Sequence, residues 1–150
     1  MSFEVSTGTR GARQPRGPLM RLVNRLLAGR IRRKGSFGGG NALVLTTVGR
    51  KSGEERESPL AWFPGEDGSW LVVASAGGAP KNPGWYHNLA AHPDQVWIEL
   101  DGRRIPVTAE QLAGAEREQA WKQITAASAQ FAKYQEATDR ELPVIRLVAV

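Results

Sequence analysis

Six short apolar segments, separated by turns, constrain the fold of this chain more than any other feature. Their sequences are ALVLTTV (42–48), RESPLAWF (56–63), WLVVAS (70–75), QVWIEL (95–100), RRIPVTAEQL (103–112) and PVIRLVAV (143–150). β-Branched and aromatic residues are frequent in them, which predicts strands. The connections GRKSGEE, PGEDGS and DG are too short for a helical crossover. The strands they join can therefore pair only as antiparallel hairpins.

Helical patterns account for most of the remaining chain. Apolar residues recur at helical spacing after Pro18, WYHNLAAHP (85–93) predicts a short helix, and residues 115–137 predict one long helix or two pieces. Two to four helices attached to about six mostly antiparallel strands indicate an α+β, mainly β fold in which the sheet closes as a barrel. The sequence contains no GxGxxG motif and no long βαβ crossover, which disfavours a dinucleotide-binding fold.

The length of 150 residues corresponds to about one domain, and no internal repeat or boundary is visible. Residues 1–17 are rich in Gly, Arg, Ser and Thr and predict a mobile basic tail, so that residues 18–150 form the domain. The absence of cysteine excludes disulfides and thiolate metal sites and fits a reducing compartment. With no signal peptide and no apolar stretch of membrane-spanning length, we expect a cytoplasmic protein.

Positive charge is concentrated in the first third of the chain. Residues 1–56 carry 12 Lys/Arg against 3 Asp/Glu, whereas residues 57–150 carry 8 against 12. This asymmetry indicates an anionic partner for the first third.

The basic amphipathic helix predicted at 18–34 has two interpretations: peripheral contact with an anionic membrane, or a leucine stripe packed on the barrel. The second is favoured, because an apolar stripe usually faces a core.

The stretch TVGRKSGEERESPL, which begins at Thr47, places Arg50, Lys51 and Arg56 on one connection. It is not a P-loop, because Arg50 stands where a glycine must precede the lysine and a strand follows instead of a helix. The two glycines of the turn still leave backbone N–H groups open, and the adjacent cations would complete an anion-binding nest. The alternative is a solvated hairpin turn whose cations are offset by neighbouring glutamates. The residues alone leave both interpretations open.

Metal ions and nucleic acid are not expected as partners. His87 and His92 are five residues apart, a spacing that matches no common helical ligand pair, and no HExxH motif occurs. The cations are not interleaved with stacking aromatic residues, and none of the usual nucleic-acid-binding motifs is present.

Three stretches resemble the deazaflavin-dependent nitroreductase family of actinobacteria, whose members use coenzyme F420 and include quinone reductases. They are LVLTTVGRKSGEERESPL, VVASAGGAPKNPGWYHNLAAHPD and TDRELPVIRL, within a similarity that spans about residues 18–150. The pairing of the first two stretches at this separation is highly specific, although neither would suffice alone. The resemblance implies a split β-barrel that binds reduced F420 and transfers hydride to a quinone or a similar activated acceptor, with nitro compounds as a further option.

The resemblance also implies the residues of the site. The implied cofactor-binding positions are Arg50, Lys51, Ser52, Gly53, Arg56, Pro59, Ser75, Ala76, Gly77, Gly78, Lys81, Trp85 and Asn88. The cations would hold the phosphodiester and glutamate tail of F420, and Trp85 would lie beside the ring pocket. The two glycines of the AGG segment would let backbone approach the flat ring. Some relatives carry a lysine where this chain has Ala76.

Ser75 and Tyr134 are the catalytic candidates, as groups that would orient the acceptor. Their alternative interpretation is an ordinary strand-end serine and a tyrosine on an amphipathic helix. Nitroimidazole-reducing relatives have several tyrosines near the late helix, whereas here Ser128 and Phe131 accompany Tyr134, which favours a quinone as acceptor. Trp62 is a further residue that could contact a ligand. Two other functions stay open: an FMN-dependent oxidoreductase on the same fold, and a non-catalytic F420 carrier. An oligomer is possible.

Overall fold

The computed structural model describes residues 3, 5–12, 22–23, 25–29, 36–37 and 40–150. In these ranges the strands are β1 (Ser36–Phe37), β2 (Gly40–Val48), β3 (Glu55–Ala61), β4 (Phe63–Pro64), β5 (Trp70–Val73), β6 (Val96–Leu100), β7 (Arg103–Gln111) and β8 (Val144–Ala149). The helices are α1 (Gly84–Ala91), α2 (Gly114–Ala127) and α3 (Ala129–Ala137). Residues 22–23 and 25–29 are also helical.

The strands form one curled antiparallel sheet. Their order is β1-β2-β6-β7-β8-β5-β4, and β3 pairs with β2. Because β3 and β6 both pair with residues 44–47 of β2, they lie on opposite sides of it. One edge of the sheet is therefore β3 and the other is the short β4, and the barrel is split between them. The predicted split β-barrel of antiparallel hairpins is confirmed, with β1 and β4 as two short strands that the sequence did not indicate.

Alternation along the strands fills the barrel interior. In β6 the side chains of Val96, Ile98 and Leu100 are buried, whereas the two residues between them are only partly covered. This is the pattern of a strand with one face on a core. The inward side chains of the other strands and the apolar residues of α1 complete this cluster: Leu43, Leu45, Val72, Val107, Ile145, Leu147, Trp85, Tyr86 and Leu89.

A second apolar cluster lies on the outer face of the sheet, beneath α2 and α3. It contains Leu71, Val73, Leu112, Ala120, Ile124, Leu142 and Val144, with Phe63, Trp121, Phe131 and Tyr134 packed against it. The two helices are separated at Ser128, whose backbone is extended (φ −146°, ψ 103°). The predicted helical character of residues 115–137 is therefore confirmed, and of the two alternatives the structure has two pieces.

The helical residues 25–29 contact the outer face of β2 through Ala28, which is fully buried against Ala42 and Val44. Leu22 and Leu26 are not packed on the barrel, because 51% and 67% of their surface is exposed. The favoured interpretation, a leucine stripe facing the core, is therefore wrong for these two residues. The remaining residues of the predicted 18–34 helix lie outside the described ranges.

The described part of the predicted tail lies against the domain. The N–H of Gly8 donates to the carbonyl of Pro80 at 2.7 Å, and the N–H of Ala12 donates to the carbonyl of Gly78 at 3.0 Å. Phe3 packs edge-on against Tyr86, with ring centroids 5.7 Å apart. Residues 5–12 are thus held by long-range contacts, which differs from the expected free tail; glycine-rich composition does not reveal such partners. Residues 13–17 lie outside the described ranges.

Candidate functional site

The turn between β2 and β3 is closed by its own backbone. The N–H of Gly49 donates to the carbonyl of Glu54 at 2.7 Å, and the N–H of Gly53 donates to the carbonyl of Gly49 at 2.9 Å. Gly53 has a φ of +72°, which glycine adopts without the steric cost that a side chain adds. The side chains of Arg50 and Lys51 project from this turn and are exposed.

Asn88 of α1 connects this turn to the first helix. Its Oδ1 accepts a hydrogen bond from the backbone N–H of Arg50 at 3.0 Å. Its Nδ2 donates to the hydroxyl of Thr47 at 3.1 Å. The amide thus uses both of its ends to hold α1 beside the β2–β3 turn, and a cavity opens between these two elements.

This first cavity has a volume of about 430 Å³. Its walls are the basic turn, the start of β3 and the start of α1; the lining residues are Gly49, Arg50, Lys51, Ser52, Arg56, Ser58, Pro83, Gly84, Trp85 and Asn88. Trp85 is otherwise buried in the barrel core, so it forms the apolar base of a cavity whose rim is cationic.

The electrostatics of the first cavity favour an anion. In the described part of the chain, no carboxylate lies within ion-pair distance of Arg50 or Lys51. Arg56 pairs with Glu54 at 3.6 Å, across an exposed surface where such pairs contribute little. Partial burial, which is the larger cause, and the adjacent Arg50 charge both lower the pKa of His87. The same Arg50 charge would attract a phosphate or a carboxylate.

A second cavity, of about 520 Å³, lies at the split of the barrel. Its lining comes from β2, β3, β4, β5, the end of α2, α3 and residues between these elements: Asn41, Pro59, Leu60, Ala61, Trp62, Phe63, Val73, Ser75, Ala127, Ser128, Gln130, Phe131 and Tyr134. The two cavities follow one another along β3, since Arg56 and Ser58 line the first and Pro59 and Leu60 the second.

Aromatic rings form one wall of the second cavity. Phe131 packs edge-on against Phe63 and against Tyr134, with ring centroids 5.6 Å apart in both pairs. Such pairs add stabilisation beyond their buried area and fix the ring orientations. Among the described residues, the hydroxyls of Ser75, Ser128 and Tyr134 have no hydrogen-bond partner. This cavity therefore combines an aromatic wall with three hydroxyls available to a ligand.

The segment after β5 is a tight loop with a left-handed backbone. Ala76, Gly77 and Gly78 have φ values of 47°, 64° and 85°. A Cβ on Gly78 would lie 2.7 Å from the carbonyl oxygen of Tyr134, whereas a Cβ on Gly77 would meet nothing within 4 Å. The two glycines thus differ: Gly78 allows α3 to pack closely, and Gly77 presents exposed backbone to solvent.

The structure brings together most of the residues that the sequence singled out. Arg50, Lys51, Ser52, Arg56, Trp85 and Asn88 line the first cavity, and Pro59, Ser75 and Tyr134 line the second. The lining of neither cavity includes Gly53, Ala76, Gly77, Gly78 or Lys81. The sequence analysis did not identify Ser58, Pro83 or Gly84, which have no chemical signature of their own. Within the described ranges, no group of three potential metal ligands occurs.

Comparison with known proteins connects this geometry to a group of enzymes. The sequence profile of the family described as F420H(2)-dependent quinone reductase matches residues 7–148. The F420H(2)-dependent quinone reductase Rv1261c of Mycobacterium tuberculosis is 38% identical over 109 residues, which cover 71% of this chain and 72% of that protein. A solved F420-H2 dependent reductase, FDR-A, is 41% identical with a TM-score of 0.63, over 71% of this chain and 92% of its own.

A second solved structure, described as a domain-swapped dimer, is 36% identical with a TM-score of 0.64. That similarity covers 87% of this chain and 99% of the other. Both structural neighbours thus match most of their own length with the arrangement of strands and helices given above.

Proposed function

This chain belongs to the F420H(2)-dependent quinone reductase family, and we propose from this premise that its two cavities divide the work of one oxidoreductase. The cofactor of the family is reduced coenzyme F420, which supplies a hydride when bound. The first cavity binds the anionic tail of the coenzyme, and the second receives the acceptor. The protein contributes position and electrostatics, because no covalent nucleophile is needed.

The cationic rim of the first cavity is the observation that carries this proposal. Arg50, Lys51 and Arg56 line one cavity, and the first two have no carboxylate partner among the described residues. Arginine binds phosphate or carboxylate through two parallel hydrogen bonds, and lysine adds a point charge. A phosphodiester followed by glutamates matches this charge, so the residues present fit the tail of F420. FMN has a shorter anionic tail and would leave part of the rim unused.

The second cavity supports a flat acceptor of the quinone type. Its aromatic wall suits a planar ring, and the hydroxyls of Ser75 and Tyr134 can donate hydrogen bonds to quinone oxygens. We assign orientation of the acceptor to these two residues. Reduction of nitro compounds is a secondary activity in this proposal, because only Tyr134 supplies a phenolic hydroxyl to the cavity.

Titration with F420 and with FMN, followed by a menadione assay with F420H2, tests the function. We expect F420 to bind more tightly than FMN and to lose affinity as ionic strength rises. Lys51→Gln is expected to raise the Kd for F420 about tenfold, which corresponds to about 1.4 kcal/mol, and to flatten its salt dependence. Lys122→Gln is the matched control, because Lys122 lies exposed on α2 and outside both cavities.

Absence of F420 binding at low ionic strength would exclude an enzyme of this kind. Binding without menadione reduction would indicate a carrier.

We also propose that the N-terminal helix contacts an anionic membrane surface. Leu22 and Leu26 are mostly exposed, and Arg25 is exposed beside them. An apolar face bordered by basic residues is typical of helices that lie in a lipid interface. In the described part of the chain, none of the helices has the length and hydropathy needed to span a bilayer.

Flotation with anionic and neutral vesicles tests whether the N-terminal helix contacts an anionic membrane. The double variant Leu22→Ser, Leu26→Ser should lose binding to anionic vesicles, and wild-type protein that does not float would contradict it.

Self-association is a further proposal, supported by the relative that is described as a domain-swapped dimer. Light scattering during gel filtration measures it directly: we expect a mass twice that of the chain, and a monomer at all concentrations would contradict the proposal.

A further inference from the structure

Arg140 is among the largest fully buried side chains of the described structure, with only 2% of its surface exposed. All five of its N–H groups are used. Nε donates to the carbonyl of Ala79 at 3.1 Å, and Nη1 donates to the carbonyl of Ala74 at 3.0 Å and to Oδ1 of Asn82 at 2.6 Å. Nη2 donates to the carbonyls of Ser75 and Ala79 at 2.9 and 3.0 Å. Every acceptor belongs to one loop, residues 74–82.

This guanidinium has no carboxylate within ion-pair distance among the residues described. A buried charge is costly to leave unsatisfied, and here carbonyl dipoles and one amide oxygen provide the compensation. Burial lowers the pKa of Arg140, but an arginine stays protonated in a protein. Its own backbone is fixed as well, because Gln135 Nε2 donates to its carbonyl at 2.7 Å. Arg140 is therefore a rigid centre around which the loop is wrapped.

The loop has a conformation that needs such support. Ala76 has a φ of +47°, a region that is sterically unfavourable for an L-residue. Within the loop, the N–H of Gly78 donates to the carbonyl of Ser75, and the N–H of Ala79 donates to the carbonyl of Ala76. Strained backbone of this kind persists only where its surroundings determine it. The planar fork of arginine can bind several carbonyls in fixed directions, which a lysine ammonium cannot.

We propose that Arg140 is a positioning residue of the reductase: its five hydrogen bonds fix the loop at residues 74–82, and thereby the Ser75 hydroxyl in the acceptor cavity and the exposed Gly77 backbone. This inference rests on the proposed function, because it takes the second cavity as the acceptor site. Arg140 lines neither cavity and acts through the loop. A small displacement of a positioning group can lower a rate by about 100-fold.

Arg140→Lys tests the proposal, with Arg117→Lys as the matched control. Arg117 is also buried, at 5% exposure, and its Nη2 also donates to a backbone carbonyl, that of Leu142 at 2.8 Å, but it lies outside both cavities. The readouts are amide hydrogen exchange of Gly78 and Ala79 without cofactor, the difference absorbance spectrum of bound F420, and kcat and KM for menadione. All are measured on protein whose folded fraction is known from circular dichroism.

We expect Arg140→Lys to speed exchange at both amides, to shift the F420 spectrum and to lower kcat/KM for menadione about 100-fold. The Kd for F420 should change less, because the first cavity is intact. Arg117→Lys should lower stability without these changes. If Arg140→Lys matches wild type in exchange, spectrum and kinetics, the proposal is overturned, since charge alone would then suffice.

If Arg140→Lys does not fold, Asn82→Ala decides the question. It removes one acceptor of Arg140 and should give the same changes at a smaller size, about threefold to tenfold in kcat/KM; a wild-type result for Asn82→Ala overturns the proposal. Failure of the proposed function can be distinguished from failure of the Arg140 inference. In the first case wild-type protein would neither bind F420 nor reduce menadione, whatever the variants do.

Discussion

Asn88 and Arg50 are joined by a hydrogen bond from the Arg50 backbone N–H to the Asn88 Oδ1, at 3.0 Å, across 38 residues of sequence. The contact places a side chain of α1 behind the turn that carries the cations. Because the bond uses only the backbone of Arg50, the side chain of this residue, which lines the first cavity, stays available to a ligand. Asn88, which the sequence suggested as a cofactor contact, is thus also a structural support of the turn.

Replacement of Asn88 should therefore weaken cofactor binding through the turn. Asn88→Ala removes the acceptor for the Arg50 N–H and the donor to Thr47. We expect the Kd for F420 to rise about tenfold, equivalent to about 1.4 kcal/mol, with little change in the KM for menadione. Fluorescence titration measures the Kd. Gln95→Ala, an exposed change after the end of α1, is the control; an unaltered Kd in folded Asn88→Ala would show that the turn holds its shape without the amide.

Sequence periodicity was sufficient to predict the main strands of the sheet, because the apolar residues that alternate along a strand are also the residues that the folded sheet buries. Val96, Ile98 and Leu100 alternate with less buried residues, and the DG turn at 101–102 joins β6 to β7 as a hairpin. The two cavities could be anticipated only in part. The basic turn is visible in the sequence as a cluster of cations, but the second cavity is made from residues of β3, β5 and α3 that meet only in the folded chain.

Arg140 shows what sequence reasoning could not supply. The stretch TDRELPVIRL carries part of the family resemblance, but nothing in it indicates that the Arg140 side chain is buried, and its acceptors lie 58 to 66 residues away. The same holds for Asp139, whose partners Thr9 and Arg10 come from a segment with the composition of a free tail. Such long-range polar contacts depend on tertiary packing, which cannot be predicted from periodicity or composition.

The two glycines of the AGG segment should respond differently to alanine. Gly77→Ala meets no atom within 4 Å and suffers only from its φ of +64°, so we expect a loss of about 1 kcal/mol in the free energy of unfolding. Gly78→Ala, at φ +85°, also places a Cβ 2.7 Å from the Tyr134 carbonyl oxygen and 3.0 Å from Ala137 Cβ. Its loss should reach about 3 kcal/mol. Urea unfolding measures the free energy of unfolding of both variants. Equal losses would mean that α3 can move away from a Cβ at position 78 at no cost.

Acid should release the N-terminal segment at an unusually low pH. Hydrogen bonds from the Thr9 hydroxyl, from the Thr9 N–H and from the Arg10 N–H lower the pKa of Asp139 from 3.8 to about 2. Since the folded pKa is depressed, this contribution to docking is complete above about pH 4 and is lost as the pH falls towards 2. The Thr9 amide resonance in NMR spectra should titrate with a midpoint of about 2.

The variant Asp139→Asn separates this ionisation from general acid unfolding. It should leave the Thr9 amide without a titration step in the same pH range, and it should weaken the docking of residues 5–12 already at pH 7. A Thr9 resonance that titrates with the ordinary midpoint of an aspartate, or one that is unchanged in Asp139→Asn, would contradict the assignment of this contact.

Removal of one hydroxyl from the second cavity should slow quinone reduction. The Tyr134 hydroxyl has no hydrogen-bond partner among the described residues and lines the cavity, so a bound acceptor is its available partner. We expect Tyr134→Phe to lower kcat/KM for menadione about tenfold, the equivalent of one hydrogen bond to the acceptor, while the Kd for F420 stays the same. Steady-state rates with F420H2 measure the effect.

The matched control is Tyr86→Phe. The Tyr86 hydroxyl donates to Gln111 Oε1 at 2.6 Å in the barrel interior, away from both cavities, so the same atom is removed from a purely internal contact. This variant should lose stability and keep its kinetic constants at temperatures where it is folded. If Tyr134→Phe keeps the wild-type kcat/KM, Tyr134 has no part in orienting the acceptor, and Ser75→Ala and Ser128→Ala are then tested in the same assay.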